Sequence, residues 1–430
     1  MTRVKIDDNV HPAPTQRAPG EPHPSEPTMS TKRSTTVVVL GFLILIQATG
    51  ALAGFWLPAI APEIGDGLAI NPALIGYQVL IQYVFAMLSS LMSGGVVARY
   101  GAWRTSQLAL VIFAAAHLMF LSGSLLMIGL GSAVLGCGYG MVTPPASHLL
   151  TKIVTPTNRN FIFSIRFTGV PLGGIVAGLA GPAVALAFGW RESVLLVVAV
   201  ALTLAIAMQP LRAHWDGDRS STARLIRNPV ADLKMVWNFR PLRWVALMGL
   251  CMGAIQTTLT TYTVTMLVED LGYTLIAAGI GLSTIQCASV FGRVTWGWLA
   301  DRVGSGLAVS GMVALIAAFC AGVTSLLTPQ WPELAVYGLC FGFGLVGMGW
   351  NGVFASEIAR LAPVGAVGSA TGACMFITFS GVFLGPVVFV TMHDLTGAYT
   401  TTYLITAAIA LIALFCVIQA IRSLRPSDRP

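Results

Sequence analysis

The chain has 430 residues, of which 55% are hydrophobic and only 10% charged, and its mean hydropathy is +0.78. Soluble domains carry roughly a quarter charged residues, so a globular surface facing water on all sides is excluded. The formal charge of +7 is not gathered on one basic face, which excludes a nucleic-acid-binding domain.

Residues 1–34 are polar and carry prolines at 12, 14, 19, 22, 24 and 27. Such a stretch buries too little apolar surface to fold, so it is expected as a disordered cytoplasmic tail. No apolar core of the signal-peptide type occurs in it, so the first hydrophobic run reads as an uncleaved span. Met29, just ahead of Lys32 and Arg33, is an expected alternative translation start. Apolar runs long enough to cross about 30 Å of hydrocarbon then follow at residues 36–61, 73–97, 106–124, 126–151, 161–188, 191–210, 244–268, 275–299, 305–327, 333–358, 366–392 and 399–421. The fold expected is an all-α membrane protein of about twelve transmembrane helices. Between the sixth and seventh runs, residues 211–243 mix Asp216, Asp218 and Asp232 with seven basic residues and contain Pro229. That composition suits a cytoplasmic linker with a short interfacial helix around 223–237. Residues 422–430 form a basic tail.

Charge tests this map, because Lys and Arg are retained on the cytoplasmic side. Arg99, Arg104, Lys152, Arg159, the linker arginines, Arg302, Arg360 and both tails fall on one side, and the opposite loops hold only Arg191. Glu63, Asp66, Glu192, Glu269, Asp270, Glu333 and Asp394 lie on the other side. Both termini are thus expected in the cytoplasm, with the chain in an inner (plasma) membrane. The seven cysteines sit inside apolar runs without metal-ligand spacing and read as small packing residues.

The sequence repeats itself. Gly94-Gly-Val-Val-Ala98-Arg99-Tyr-Gly101 returns as Gly297-Trp-Leu-Ala-Asp301-Arg302-Val-Gly304, a shift of 203 (297 minus 94). Gly138, Gly140, Ala146 and Ser147 return as Gly347, Gly349, Ala355 and Ser356, a shift of 209 (347 minus 138). Phe167-Thr-Gly-Val-Pro-Leu-Gly173 returns as Phe379-Ser-Gly-Val-Phe-Leu-Gly385, a shift of 212 (379 minus 167). Three matches in order at nearly constant shift indicate a duplicated unit of six spans, residues 35–210 and 244–421, as in many membrane carriers.

With Gly297-x-x-x-Asp301-Arg302-x-Gly304 the chain resembles the major facilitator superfamily over residues 35–421. The resemblance implies two pseudo-symmetric six-helix halves that rock about a central site. It also implies a cytoplasmic latch in which the acid and arginine of this loop take part. A carboxylate there can pair with arginine and with the positive end of a neighbouring helix. Gating residues implied by the two copies are Gly94, Arg99, Gly101 and Arg104, and Gly297, Asp301, Arg302 and Gly304, with Arg293 in the latch network and Glu357 and Arg360 as partners on that side. The first copy has Ala98 in place of the acid, which implies an asymmetric latch. Within the superfamily, Thr168-Gly-Val-Pro-Leu-Gly-Gly174 and Gly349-Trp-Asn-Gly352 are similar to bacterial permeases of the cyanate and organic-acid type.

Charge at membrane depth is costly and marks function. Arg166, one to two turns into the fifth span, has no acid at helical spacing. A guanidinium in a water-lined cavity clamps a carboxylate or phosphate; the alternative is that it snorkels to the headgroups. Gln47, Gln82, Tyr83, Gln256, Tyr262, Gln286, Trp350 and Asn351 are further mid-span polar groups able to bind a small solute, or to bond helix to helix. His117 and His148 are the titratable groups open to proton coupling, with packing the plainer reading of both.

The function expected is secondary transport of a small solute, an organic anion such as a carboxylate, by alternating access. Two readings stand beside it: export of hydrophobic compounds, and a transport-like solute receptor. No nucleotide-binding loop, nucleophile motif or metal cluster occurs in the sequence, so neither enzyme activity nor a cofactor is expected. The expected partners are the small-molecule substrate, the lipid bilayer, and a coupling proton or counter-anion, with the chain a monomer.

Overall fold

A computed structural model describes residues 29–70, 75–223 and 228–424; expectations about residues 1–28, 224–227 and 425–430 lie outside them. The contacts fall into two units, Met1–Val39 and Leu40–Pro430. The first contributes the opening turns of α1, and the contacts described below belong to the second.

Twelve long helices follow the expected order: α1 (Met29–Ala59), α2 (Ile75–Tyr100), α3 (Ala102–Phe120), α4 (Leu125–Thr151), α5 (Arg159–Phe188), α6 (Trp190–Trp215), α7 (Arg240–Glu269), α8 (Leu275–Val303), α9 (Gly306–Thr324), α10 (Glu333–Leu361), α11 (Val367–Thr396) and α12 (Tyr399–Ser423). Since α1 begins at Met29, residues 29–34 of the expected tail are helical. Among the described residues, eleven helices are long and apolar enough to cross a membrane. The other, α3, has 19 residues and carries Arg104, Gln107 and His117. It packs between α4 and α6, which cover Gln107 and His117. It starts four residues earlier than its hydropathy suggests (106 minus 102), because Gly101 takes φ +94° and turns the chain directly out of α2.

The polarity of the molecule is reversed relative to a soluble protein. Leu179, Leu186, Ile206, Ile276 and Phe319 are exposed on the outside, while Gln47, Gln78, Gln82, His117, Arg166 and Arg293 are buried. Lipid is the solvent that fits such a surface. Five cysteines are buried; Cys137 is half-buried and Cys287 exposed, so the packing reading fails for Cys287.

The repeat is visible as broken helices. α4 is interrupted between Gly140 and Thr143, and α10 between Gly347 and Asn351. These positions correspond at the shift of 209, and glycine or proline flanks both breaks. α5 is interrupted at Thr168, where Pro171 cannot donate to Phe167. Freed carbonyls at such breaks are tolerated in a membrane only where they face protein or a polar cavity.

The halves meet at the end of the bundle that carries the linker, called here the linker end. There α2 packs on α11, and α5 on α8 and α10. Glycines make the approach possible. A methyl group at Gly372 would collide with the Ser90 carbonyl, and one at Gly94 would sit 2.8 Å from Ser369 Cα. On the pseudo-symmetric seam, Gly297 would meet Ser164 Cβ at 2.5 Å, and Gly352 would collide with the Ser164 backbone. Ser90 Oγ donates across the first seam to the Gly372 carbonyl at 3.1 Å. The linker helix, Pro229–Asn238, starts where Asn228 accepts from Val230 N–H and packs on α7, α11 and α2.

Candidate functional site

The acid of the repeated loop closes the linker end. Asp301 accepts from Asn160 N–H (3.0 Å), Asn160 Nδ2 (2.9 Å) and Phe161 N–H (2.8 Å) at the start of α5 in the other half. A carboxylate on a helix N-terminus is favoured by the unpaired N–H groups and the helix dipole. Beside it, Arg159 of α5 donates to Ser356 Oγ (3.1 Å) and lies 3.9 Å from Glu357, which is held by Arg360 at 2.7 Å. Asp301→Asn keeps an acceptor but loses the charge. Uptake is expected to fall about tenfold at unchanged membrane abundance, as about 1.4 kcal/mol of closed-state stability would give; blotting of membranes alongside uptake checks it.

Other parts of the expected latch lie elsewhere. Arg302 does not join the network; its guanidinium sits over the Trp298 ring at 5.6 Å. Arg293 donates to Ser289 O (3.0 Å) and Ser289 Oγ (2.8 Å), one turn back along α8. Its side chain therefore points away from Asp301 and toward the middle of the bundle, because helical side chains lean toward the N-terminus. Gly304 ends α8 in the left-handed region, φ +76°. In the first copy, Arg99 donates to the Ala223 carbonyl, and Arg104 to Gln107 and Gln209. These arginines hold the linker to their own half and make no bond across the seam.

The linker also brings acid to the half whose loop lacks it. Asp216 accepts from Trp103 N–H (2.8 Å) and Arg104 N–H (3.0 Å) at the start of α3, and burial holds its carboxyl above the usual carboxylate range against those donors. Asp218 lies 2.7 Å from His148 Nε2 and 2.9 Å from Lys152 Nζ, so His148 is a hydrogen-bond partner of that carboxylate and not a packing residue. Burial disfavours ionised Asp218, but hydrogen bonds from Lys152 and His148 outweigh it and hold the carboxyl below the usual range. A depressed carboxylate contributes stability above its unfolded value and loses it as pH falls through the folded one, so this clip persists through neutral pH and opens only in acid. The pair is partly exposed, and Asp218→Asn is expected to speed tryptic cleavage after Arg219 about threefold, checked by limited proteolysis.

Near the middle of the bundle lie two buried cations. Arg166 stands seven residues past Arg159, about 10 Å in from the linker end of α5; Arg293 is about 15 Å in along α8. Arg166 is fully buried and Arg293 is 1% exposed. Arg166 Nη2 donates to Gln47 Oε1 (2.6 Å) and to the Val142 carbonyl (3.3 Å), which the break in α4 has freed. Its Nε and Nη1, and Nε of Arg293, have no partner. Among the described residues every ion pair involves other groups. Arg166 is therefore not snorkelling: it is held inward, with donors to spare.

Tyr139, at the break in α4, lies within electrostatic reach of both guanidinium groups. Its ring packs edge-on against that of Tyr83 of α2. The two rings are 6.0 Å apart, and Phe379 of α11 packs on both, at 5.9 and 6.3 Å. Gln256 accepts from Trp350 Nε1 (3.2 Å) and Asn351 Nδ2 (3.4 Å). It is the counterpart of Gln47 at the shift of 209 (256 minus 47), so each half uses a glutamine of its first helix as an acceptor facing a helix break.

Not every expected residue belongs here. Gln82 accepts from Gln78 (3.1 Å) and lies against Gly54 of α1, a helix-to-helix contact. Tyr262 donates to the Pro386 carbonyl and stacks on Phe389 at 4.6 Å, away from the arginines. Gln286 is half-buried, and its backbone carbonyl accepts from Ser289. His117 is buried, with Nδ1 2.9 Å from the Phe113 carbonyl, and packs on Phe120. Tyr139, Arg159, Asn160 and Ser164 were missed. A sequence signal existed for Tyr139: its place between the two repeated glycines, Gly138 and Gly140.

Comparison with known proteins agrees with the fold. The profile of the Major Facilitator Superfamily matches residues 39–386. The hexuronate transporter of Bacillus subtilis (strain 168) is 23% identical over 89% of this chain and 94% of its own. The probable nitrate/nitrite transporter NarK2 of Mycobacterium tuberculosis is 25% identical over 82% of this chain and 81% of its own. Among solved structures, the transporter FucP in its outward conformation superposes with a TM-score of 0.74 at 18% identity, covering 91% of this chain and all of that one (100%).

Proposed function

Because this chain belongs to the major facilitator superfamily of transporters, we propose that its cargo is a small organic anion, a carboxylate bound by Arg166 with Arg293 as the second guanidinium. The observation that carries this reading is the pair of buried arginines with unpartnered donors and, among the described residues, no paired carboxylate. A buried, unpaired cation is strongly unfavourable, and an incoming anion supplies both the missing charge and the missing acceptors. Hexuronate and nitrate, the cargoes in the names of two relatives, are themselves anions, which supports the class without fixing the compound.

In this reading the halves, residues 35–210 and 244–421, rock about the arginines, with residues 211–243 as the linker. The linker end faces the cytoplasm of an inner membrane, in keeping with its excess of Lys and Arg. The contacts across α2, α5, α8, α10 and α11 then form the closed cytoplasmic gate. A single chain contains the whole site, so a monomer suffices, and charge balance is completed by a coupling proton or a counter-anion.

The test is uptake by proteoliposomes of purified protein, with radiolabelled acetate, pyruvate, oxalate and succinate against neutral sugars and cationic dyes. Uptake of at least one carboxylate, with none of sugar or dye, is the expected result. Dye movement alone would replace this reading with export of hydrophobic compounds; carboxylate binding without flux would make the protein a receptor.

A further inference from the structure

The repeat aligns positions of the two halves, and among those that differ in chemistry one pair lies beside the arginines. Tyr139 corresponds to Met348 at the shift of 209 (348 minus 139), and Tyr83 to Gln286 at the shift of 203 (286 minus 83). The first half therefore places a pair of phenols in edge-on ring contact where the second has a thioether and an amide. A role in the fold shared by both halves would call for similar residues in both. A phenol at this position in one half only, in the turn whose Val142 carbonyl accepts from Arg166, points to the cargo.

We propose that Tyr139 is a further cargo-binding residue that sets specificity, its hydroxyl donating to an oxygen of the anion held by Arg166 and Arg293. The proposal rests on the anion reading above. The phenol oxygen has one proton to give and can accept from a guanidinium meanwhile. Its ring is fixed on three sides: by Tyr83, by Phe379 of the opposite half, and by the end of the broken helix that carries it. Held so, it offers a directed hydrogen bond at one place, which two flexible guanidinium groups alone do not. Directed donors discriminate among ligands of equal charge by their acceptor geometry. Phe379 belongs to the other half, so seating the anion against Tyr139 also sets it at the contact through which the halves meet in the middle of the bundle.

Tyr139→Phe keeps the ring contacts and removes only the hydroxyl. With the carboxylate of highest wild-type uptake among acetate, pyruvate, oxalate and succinate, KM is expected to rise about tenfold, the worth of one hydrogen bond to a charged group. Maximal rate and melting temperature should remain near wild type. Tyr83→Phe, which keeps the ring contact and the Tyr139 hydroxyl but removes the polar group beside it, should raise KM by a smaller factor, about threefold, and provides the readout if Tyr139→Phe inserts poorly. The rank order of the four carboxylates should also flatten in Tyr139→Phe. Unchanged KM and unchanged rank order in Tyr139→Phe, or in Tyr83→Phe where that variant is the readout, would overturn the proposal. Arg166→Gln separates the two claims. If it binds carboxylate as wild type does, the anion reading fails; if it loses binding while Tyr139→Phe does not, only the role of Tyr139 falls.

Discussion

Arg166→Gln and Arg293→Gln are each expected to reduce carboxylate uptake at low substrate concentration about 100-fold, with insertion and melting temperature kept. Truncating one partner of a buried, hydrogen-bonded charge pair removes about 3 kcal/mol, which is about two factors of ten. The free protein should tolerate the change, because each arginine is a buried cation without an ion-pair partner among the described residues, and its removal relieves a desolvation cost. Thermal stability kept while uptake is lost is the signature of a ligand residue. Arg166→Lys should not rescue fully: Lys retains the charge but not the planar set of donors that reaches Gln47, Val142 and the anion together. Uptake and thermal unfolding of the purified variants in parallel check this.

The second large effect concerns the seams. Gly372→Val and Gly297→Val are expected to hold the linker end open, since their side chains would strike Ser90 and Ser164 of the opposite half. Overpacking costs about 1–3 kcal/mol, enough to move a two-state equilibrium about 10- to 100-fold. Gly372 lies on α11, which carries neither arginine, so in Gly372→Val cargo affinity should change less than turnover. Gly297 is four residues (297 minus 293), about one turn, from Arg293 on α8, so Gly297→Val is read by the distance across the linker end alone. Spin labels at Thr157 and Pro363, in a background whose native cysteines are replaced by serine, report the distance across this end. A shift of the main population to longer distances is expected, and an unchanged distribution would show that the seams absorb the added side chains without opening.

Much of the architecture was legible in the sequence, because lipid imposes a simple rule on span length and loops impose one on charge. The helix breaks were less so. Gly140, Pro144 and Pro145 advertise the one in α4, but that the freed Val142 carbonyl would meet Arg166 depends on how α5 crosses α4, which no local pattern encodes. Arg166 was found because a lone charge in an apolar run is conspicuous. Arg293 was assigned to the latch from its nearness in sequence to Asp301. Its rotamer, turned back to Ser289, is what puts it in the site. Tyr139 has no charge to draw attention, and its role depends on a partner in each half. The loop acid was read as a partner of arginine and of a helix end. It takes the helix end, the start of α5, and among the described residues it forms no ion pair with arginine; which end it meets depends on tertiary packing. That the linker carries Asp216 and Asp218 to the half lacking a loop acid was not foreseeable, since linkers of mixed charge usually remain in solvent.

The central claim, that the buried arginines form an anion site, is tested most directly by equilibrium binding of radiolabelled succinate and oxalate to the purified wild-type protein, with unlabelled competitors. The account predicts saturable binding of at least one of the two, displaced by other small carboxylates and not by neutral sugars or cationic dyes, and abolished in Arg166→Gln. Binding displaced by sugars or dyes, or retained in full by that variant, would contradict it.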